Sequence, residues 1–119
     1  MRLYVPTTLE LLARWHAAGA VPAEDPGLLG AFEAPDESEE GEYAALMSAA
    51  DASAELLAGP GRRVVLVVDT SSSTPTDAVR ARAWQAVHAD LADRPAGADP
   101  DEDLGWFGVQ EIPDLTASA

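Results

Sequence analysis

The sequence contains no cysteine, no lysine and no asparagine, and its single isoleucine is Ile112. Without thiols there is no disulfide framework, no thiolate nucleophile and no thiolate metal site. All 7 basic residues are arginine, against 21 acidic ones, which leaves a net charge of −14. A surface so poor in cations repels phosphate backbones and anionic lipid, so neither nucleic acid nor a membrane is an expected partner. The longest apolar run, Val64 to Val68, falls far short of a bilayer span. The opening Met1-Arg2-Leu3-Tyr4-Val5-Pro6 lacks the continuous apolar stretch of a secretory signal, and the expected location is the cytoplasm. Large side chains are scarce as well. Alanine supplies much of the 47% apolar fraction and buries little area, so the core must lean on Leu, Val and the 3 Trp. The excess of Ala, Gly, Pro and Asp reads as GC-rich coding, which makes part of the acidity compositional background.

What is present reads as one domain. A chain of 119 residues has room for one hydrophobic core, assigned to residues 1–115 with 116–119 as a disordered tail. Leu3-Tyr4-Val5 reads as a short strand closed by Pro6. Thr7 with Glu10 forms a capping box, and Leu11, Leu12, Trp15 and Ala18 give the helix behind it an apolar face that ends at Gly19. Ala20 to Gly27 reads as loop and Leu28 to Ala34 as an edge strand. Asp36 and Glu39 cap a second helix with Tyr43, Leu46, Met47, Ala50, Ala54 and Leu57 on its inner face, stopped by Gly59-Pro60. Val64 to Val68 is apolar without alternation, which predicts a central strand buried on both faces. Thr70 to Thr76 is a polar loop. Val79 to Leu91 fits a strand by alternation and a helix by the spacing of Val79, Ala83, Val87 and Leu91, so both stay open. Arg94 to Asp103 reads as an acidic loop, and Leu104 to Ile112 as a closing strand or turn. The expected architecture is α/β (α+β): a small sheet of about four strands with two main helices packed on it in a single layer.

Several segments, taken in order, carry a resemblance. They are Arg2-Leu3-Tyr4-Val5-Pro6-Thr7-Thr8-Leu9, Glu42-Tyr43-Ala44-Ala45-Leu46, Arg62-Arg63 with Val64 to Asp69, Ala86-Val87-His88-Ala89-Asp90, and Trp106-Phe107-Gly108-Val109-Gln110-Glu111-Ile112-Pro113-Asp114-Leu115. Together they resemble an uncharacterised family of small acidic actinobacterial proteins, a domain of unknown function. The likeness covers most of the chain and departs at the Ser/Thr loop after Asp69 and in the shortened stretch before Trp106. It implies a mixed fold, tilts Val79 to Ala89 toward strands, and implies no site.

Four groups of residues carry possible chemistry. Asp69, Ser71 and Ser73 follow the central strand as Asp-x-Ser-x-Ser, which resembles the metal-adhesion motif of von Willebrand A domains, where such oxygens hold Mg²⁺. Too few residues follow for the rest of that fold, and the plainer reading is a flexible polar loop. His88 and Asp90 share a face if their segment is a strand, which suits an acid/base pair or two metal ligands; the plainer reading is a half-buried histidine. Glu111 sits beside Gln110 among Trp106, Phe107 and Ile112, where alternation alone accounts for it. The acidic runs Asp36 to Glu42 and Asp99 to Asp103 offer a surface for an Arg/Lys-rich protein, against the simpler readings of a helix cap and a solvated loop.

No catalytic signature stands out. The preferred reading is a non-catalytic acidic protein-binding module with a basic protein partner and no cofactor. One alternative is a metal-assisted or acid/base enzyme using Asp69, His88 and Asp90, with Glu111 in support and Mg²⁺ as the metal. The other is a structural homo-oligomer, motivated by three Trp in a chain with few large residues.

Overall fold

A computed structural model describes residues 1–57 and 59–117. The elements run β1 (Arg2–Thr7), α1 (Leu9–Ala18), β2 (Ala20–Val21), α2 (Pro26–Leu29), β3 (Phe32–Glu33), α3 (Glu39–Leu56), β4 (Val64–Asp69), β5 (Val79–Arg80), β6 (Trp84–Ala89), β7 (Gly105–Phe107) and α4 (Ile112–Leu115). Short 3₁₀ turns at Ala81–Ala83 and Val109–Glu111 precede β6 and α4. Five strands form an antiparallel sheet in the order β3-β1-β4-β6-β7, and β2 with β5 forms a separate two-stranded ribbon.

The fold is mixed α+β, as the sequence implied, and β4 is the central strand. Val64, Val65, Leu66 and Val68 are fully buried and Val67 nearly so, because helices cover both sides of the sheet. Leu3, Val5, Val64, Leu66 and Val87 pack with α1, α2 and α4 around Leu12, Trp15, Leu28 and Ile112. Tyr4, Val65 and Val67 pack on the opposite face against Ala45, Ala49 and Ala50 of α3. A single helical layer over about four strands is therefore corrected to helices on both faces of five. Successive side chains of a strand point to opposite faces, so the unbroken buried runs Leu3 to Thr7 in β1 and Val64 to Val68 in β4 give the sheet two apolar faces, and each must be covered.

Three local expectations shift for physical reasons. β1 runs through Pro6, which pairs in register with Val65. The neighbouring β3 reaches only Leu3 and Tyr4, so Pro6 faces no strand on that side and its missing N–H costs no ladder bond. The Pro6 carbonyl meets Gly27 of α2 there, where a Cβ would lie 2.4 Å from the oxygen. The cap of α1 is Thr8, whose Oγ1 accepts from the Leu11 amide at 3.2 Å, while Thr7 belongs to β1 and is buried. The cap of α3 is Ser38, which accepts from the Gly41 amide at 3.0 Å and is itself held by the Asp36 carboxylate.

The inner face of α3 is also rotated from the one expected. Gly41, Ala45, Ala49 and Ser53, four residues apart, are buried with Ala50, whereas Tyr43 and Ala54 are exposed. Small residues let the helix axis approach the sheet closely, which pushes the larger Leu46 and Met47 to its flanks. Val79 to Leu91 resolves as β5, a 3₁₀ turn and β6, so the strand alternative holds for most of it. Ala20 to Gly27, expected as loop, supplies β2 and the start of α2, which Asp25 caps through the Gly27 and Leu28 amides. Of the expected tail, Thr116 hydrogen-bonds back to Ile112 through Oγ1 at 2.8 Å, and residues 118–119 lie outside the described residues.

Candidate functional site

The residues with catalytic promise do not converge. Asp69 ends β4 and pairs with the amine of Met1 at 2.8 Å, whose hydrogen bond and charge hold its carboxyl below the usual range. His88 lies opposite Val65, four residues back along β4, so about 13 Å of strand separates it from Asp69. Burial lowers the His88 pKa, and among the described residues its imidazole has no hydrogen-bond partner. Ser71 and Ser73 sit in the exposed loop beyond Asp69, and no group of three His, Asp or Glu side chains among the described residues is placed to share a metal ion.

Asp90 is occupied by structure. Its Oδ2 accepts from the Arg63 backbone amide at 2.8 Å and from Nε at 2.9 Å, and its Oδ1 accepts from Nη2 at 2.7 Å. Both side chains are buried, Arg63 to 2% exposure and Asp90 to 5%. Burial works to raise the Asp90 pKa, and the Arg63 hydrogen bonds and charge overcome it, so the carboxyl stays ionised. Arg63 also donates to the carbonyls of Pro100 and Glu102, which pins the acidic loop to the sheet. Glu111 accepts from the Gly108 amide at 2.6 Å and closes the turn before α4. That turn packs on the α1 side of the sheet with Val109 and Ile112, while β-strand alternation puts His88 on the α3 side with Val65. An acid/base site built from Asp69, His88, Asp90 and Glu111 therefore has no common cleft.

The structure does join the two acidic segments. Tyr43, in the first turns of α3, donates its phenolic proton to Asp103 at 2.7 Å across 60 residues of sequence. That hydrogen bond raises the tyrosine pKa. Beside it, a cleft of about 650 Å³ is lined by Glu33, Asp36, Glu37, Glu42 and Asp69 around Arg2. Arg2 is paired with Glu42, and its neighbouring carboxylates outnumber it. Trp106 on β7 shares the sheet face of His88 and is 63% exposed, whereas Trp15 and Trp84 are core residues at 3% and 5%. The outcome is a negative surface running from the cleft past Tyr43 to the loop at Asp99–Asp103, with one exposed indole on that side of the sheet. Sequence reasoning places Trp106 in the core with the other two tryptophans, whereas on the edge strand β7 it is exposed; it does find both acidic runs. It has no signal for their adjacency, because the Arg63 anchor that folds the loop back looks, in the sequence, like an ordinary strand flank.

These features define a small mixed α+β domain with an acidic surface, in which Asp69, His88, Asp90 and Glu111 stand apart. The family described as a family of unknown function, DUF6912, matches residues 1–116, and the chain belongs to it. No curated protein and no solved structure matches the chain. No described helix is long and apolar enough to cross a membrane.

Proposed function

We propose that this protein is a non-catalytic binding module whose acidic face engages an arginine- or lysine-rich segment of a partner protein. The observation that carries this reading is the Tyr43–Asp103 hydrogen bond, which merges two acidic segments distant in sequence into one surface. Several carboxylates on that surface, including those of Glu37, Glu39, Glu40 and Asp101, have no cationic partner among the described residues, so an incoming cation need not break an existing ion pair. Trp106 adds an exposed π-face on which a guanidinium can stack, worth about 0.5–1 kcal/mol at an exposed site. A second copy of the chain would present the same negative charge, which disfavours self-association through this face. The cytoplasm suits this role, since a chain without cysteine draws nothing from an oxidising compartment.

A short oligo-arginine peptide tests the reading. Titration should change Trp106 fluorescence, and the affinity should fall steeply as salt rises past about 0.1 M, where the Debye length is about 10 Å. The combined variant Asp101→Asn, Glu102→Gln, Asp103→Asn should weaken binding, while the side-chain carbonyl it leaves at position 103 can still accept from Tyr43. Affinity indifferent to both salt and these substitutions would overturn the proposal.

A further inference from the structure

Positive charge is scarce in this chain, and most of it is spent. Arg2 pairs with Glu42, Arg14 with Glu10, Arg63 with Asp90, and Arg94 with Asp90 and Glu102, while Arg62 donates to the Asp90 carbonyl. Arg80 and Arg82 are the exceptions. Neither has a carboxylate or hydrogen-bond partner among the described residues, although acidic residues outnumber basic ones 21 to 7. The two line one cleft of about 530 Å³, together with Ser71, Ser72, Thr74 and Thr76. Asp77 is the single carboxylate on that lining, so the cleft is net positive within a protein of net charge −14.

The backbone that carries the two arginines is held on several sides. Arg80 pairs with Ala20 across the β2–β5 ribbon, and the Ala81 amide donates to the Gly19 carbonyl at 2.9 Å. Buried Trp84 donates from Nε1 to the Val79 carbonyl at 3.1 Å, tying the start of β6 back to β5. A rigid mount reduces the entropy lost when a ligand is clamped between guanidinium groups. Guanidinium groups are donors only and hydroxyls donate readily, so the ligand that satisfies such a lining is an acceptor with several oxygens and compact negative charge.

We propose that this cleft binds a small phosphate monoester, with Arg80 and Arg82 as the charge-pairing residues and the loop hydroxyls as added donors. The site shares no lining residue with the acidic cleft, and its failure would leave the binding-module reading untouched. Long polyanions are disfavoured because the surrounding negative field repels them, whereas a compact dianion meets mainly the local arginines.

The probes are inorganic phosphate and glycerol 3-phosphate, added to the full chain and followed through the arginine Nε–Hε NMR signals and through the backbone amide signals of Ser71, Ser72 and Thr74, which every variant retains. Both should shift the Arg80 and Arg82 signals selectively, and sodium chloride at matched ionic strength should not. Arg82→Gln should weaken binding at least about tenfold, the loss expected for a charge-assisted contact, and Arg80→Gln together with Arg82→Gln should abolish it. Both side chains are exposed, so the variants should keep the thermal midpoint of the parent, which separates loss of the site from loss of the fold. Equal shifts with sodium chloride, or loop amide shifts that persist undiminished in the double variant, would overturn the proposal.

Discussion

Arg63 and Asp90 form a buried, fork-shaped ion pair in which one carboxylate accepts three N–H bonds, two from the guanidinium and one from the Arg63 amide. Arg63 gives two of its three remaining guanidinium N–H groups to the Pro100 and Glu102 carbonyls, so the pair clamps the loop that carries Asp99 to Asp103. Removing one partner leaves an uncompensated buried charge. Asp90→Ala should therefore cost about 3–5 kcal/mol by urea denaturation, a large part of the total for a domain of this size. Replacing both residues by apolar ones of similar volume should cost less than the single change, because no charge is stranded. It should still release the loop, seen as faster amide exchange at Asp101 and Glu102.

Ser53 joins three elements with one hydroxyl. Its Oγ donates to the Thr7 carbonyl at 2.7 Å and accepts from the Val64 amide at 2.8 Å, and the residue is fully buried. Ser53→Ala leaves a buried acceptor on β1 and a buried donor on β4, each without a partner. At about 1–3 kcal/mol per orphaned group, the expected loss is about 2–6 kcal/mol. Ser53→Gly should be worse still, since it adds helix-interior backbone entropy to the same loss. A thermal midpoint within a degree of the parent for Ser53→Ala would contradict this account.

The three tryptophans separate by role. Trp84 is buried and its Nε1 donates to Val79, so Trp84→Phe should destabilise by about 2 kcal/mol through the orphaned carbonyl and the lost volume. Trp106 is 63% exposed, and Trp106→Phe should move stability by no more than about 0.5 kcal/mol. Fluorescence quenching by iodide should fall sharply in the Trp106 variant and hardly at all in the Trp84 one, because a buried indole is already shielded from the anion.

What the sequence disclosed, and what it withheld, follows from the range of the interactions involved. β4 is readable because burial on both faces forces an unbroken apolar run, and Gly19 is readable because the end of α1 adopts φ 76°, a left-handed geometry. The inner face of α3 is not. Periodicity weighs large residues, while close packing on the sheet selects the small series Gly41, Ala45, Ala49 and Ser53. The two-residue strands β2 and β5 are stabilised by each other and by the Gly19–Ala81 contact, none of which leaves a local pattern. At the candidate site the acidic residues are visible one by one. Their union depends on Tyr43–Asp103 and on Arg63, contacts 60 and 27 to 39 residues long in sequence.

The pH dependence of stability should show two separate limbs. His88 is half-buried on β6 with its pKa lowered by burial, so the unfolded chain binds its proton more readily than the folded one. Stability from this group is complete above the unfolded value of about 6.5, and it falls as the pH drops from there through the lower folded value. The slope is at most about 1.4 kcal/mol per pH unit for one proton. Asp90 also has a lowered pKa, so its contribution is complete above about 3.9 and is lost only as the pH falls further. Urea midpoints between about pH 8 and about pH 2 should therefore decline from about pH 6.5 in the parent, and His88→Gln should remove that decline while leaving the more acidic limb in place. Comparing the two proteins at each pH cancels the background from the many exposed carboxylates, whose protonation relieves repulsion equally in both. Parallel curves for parent and variant from pH 8 to pH 5 would show that His88 is not desolvated in the folded state.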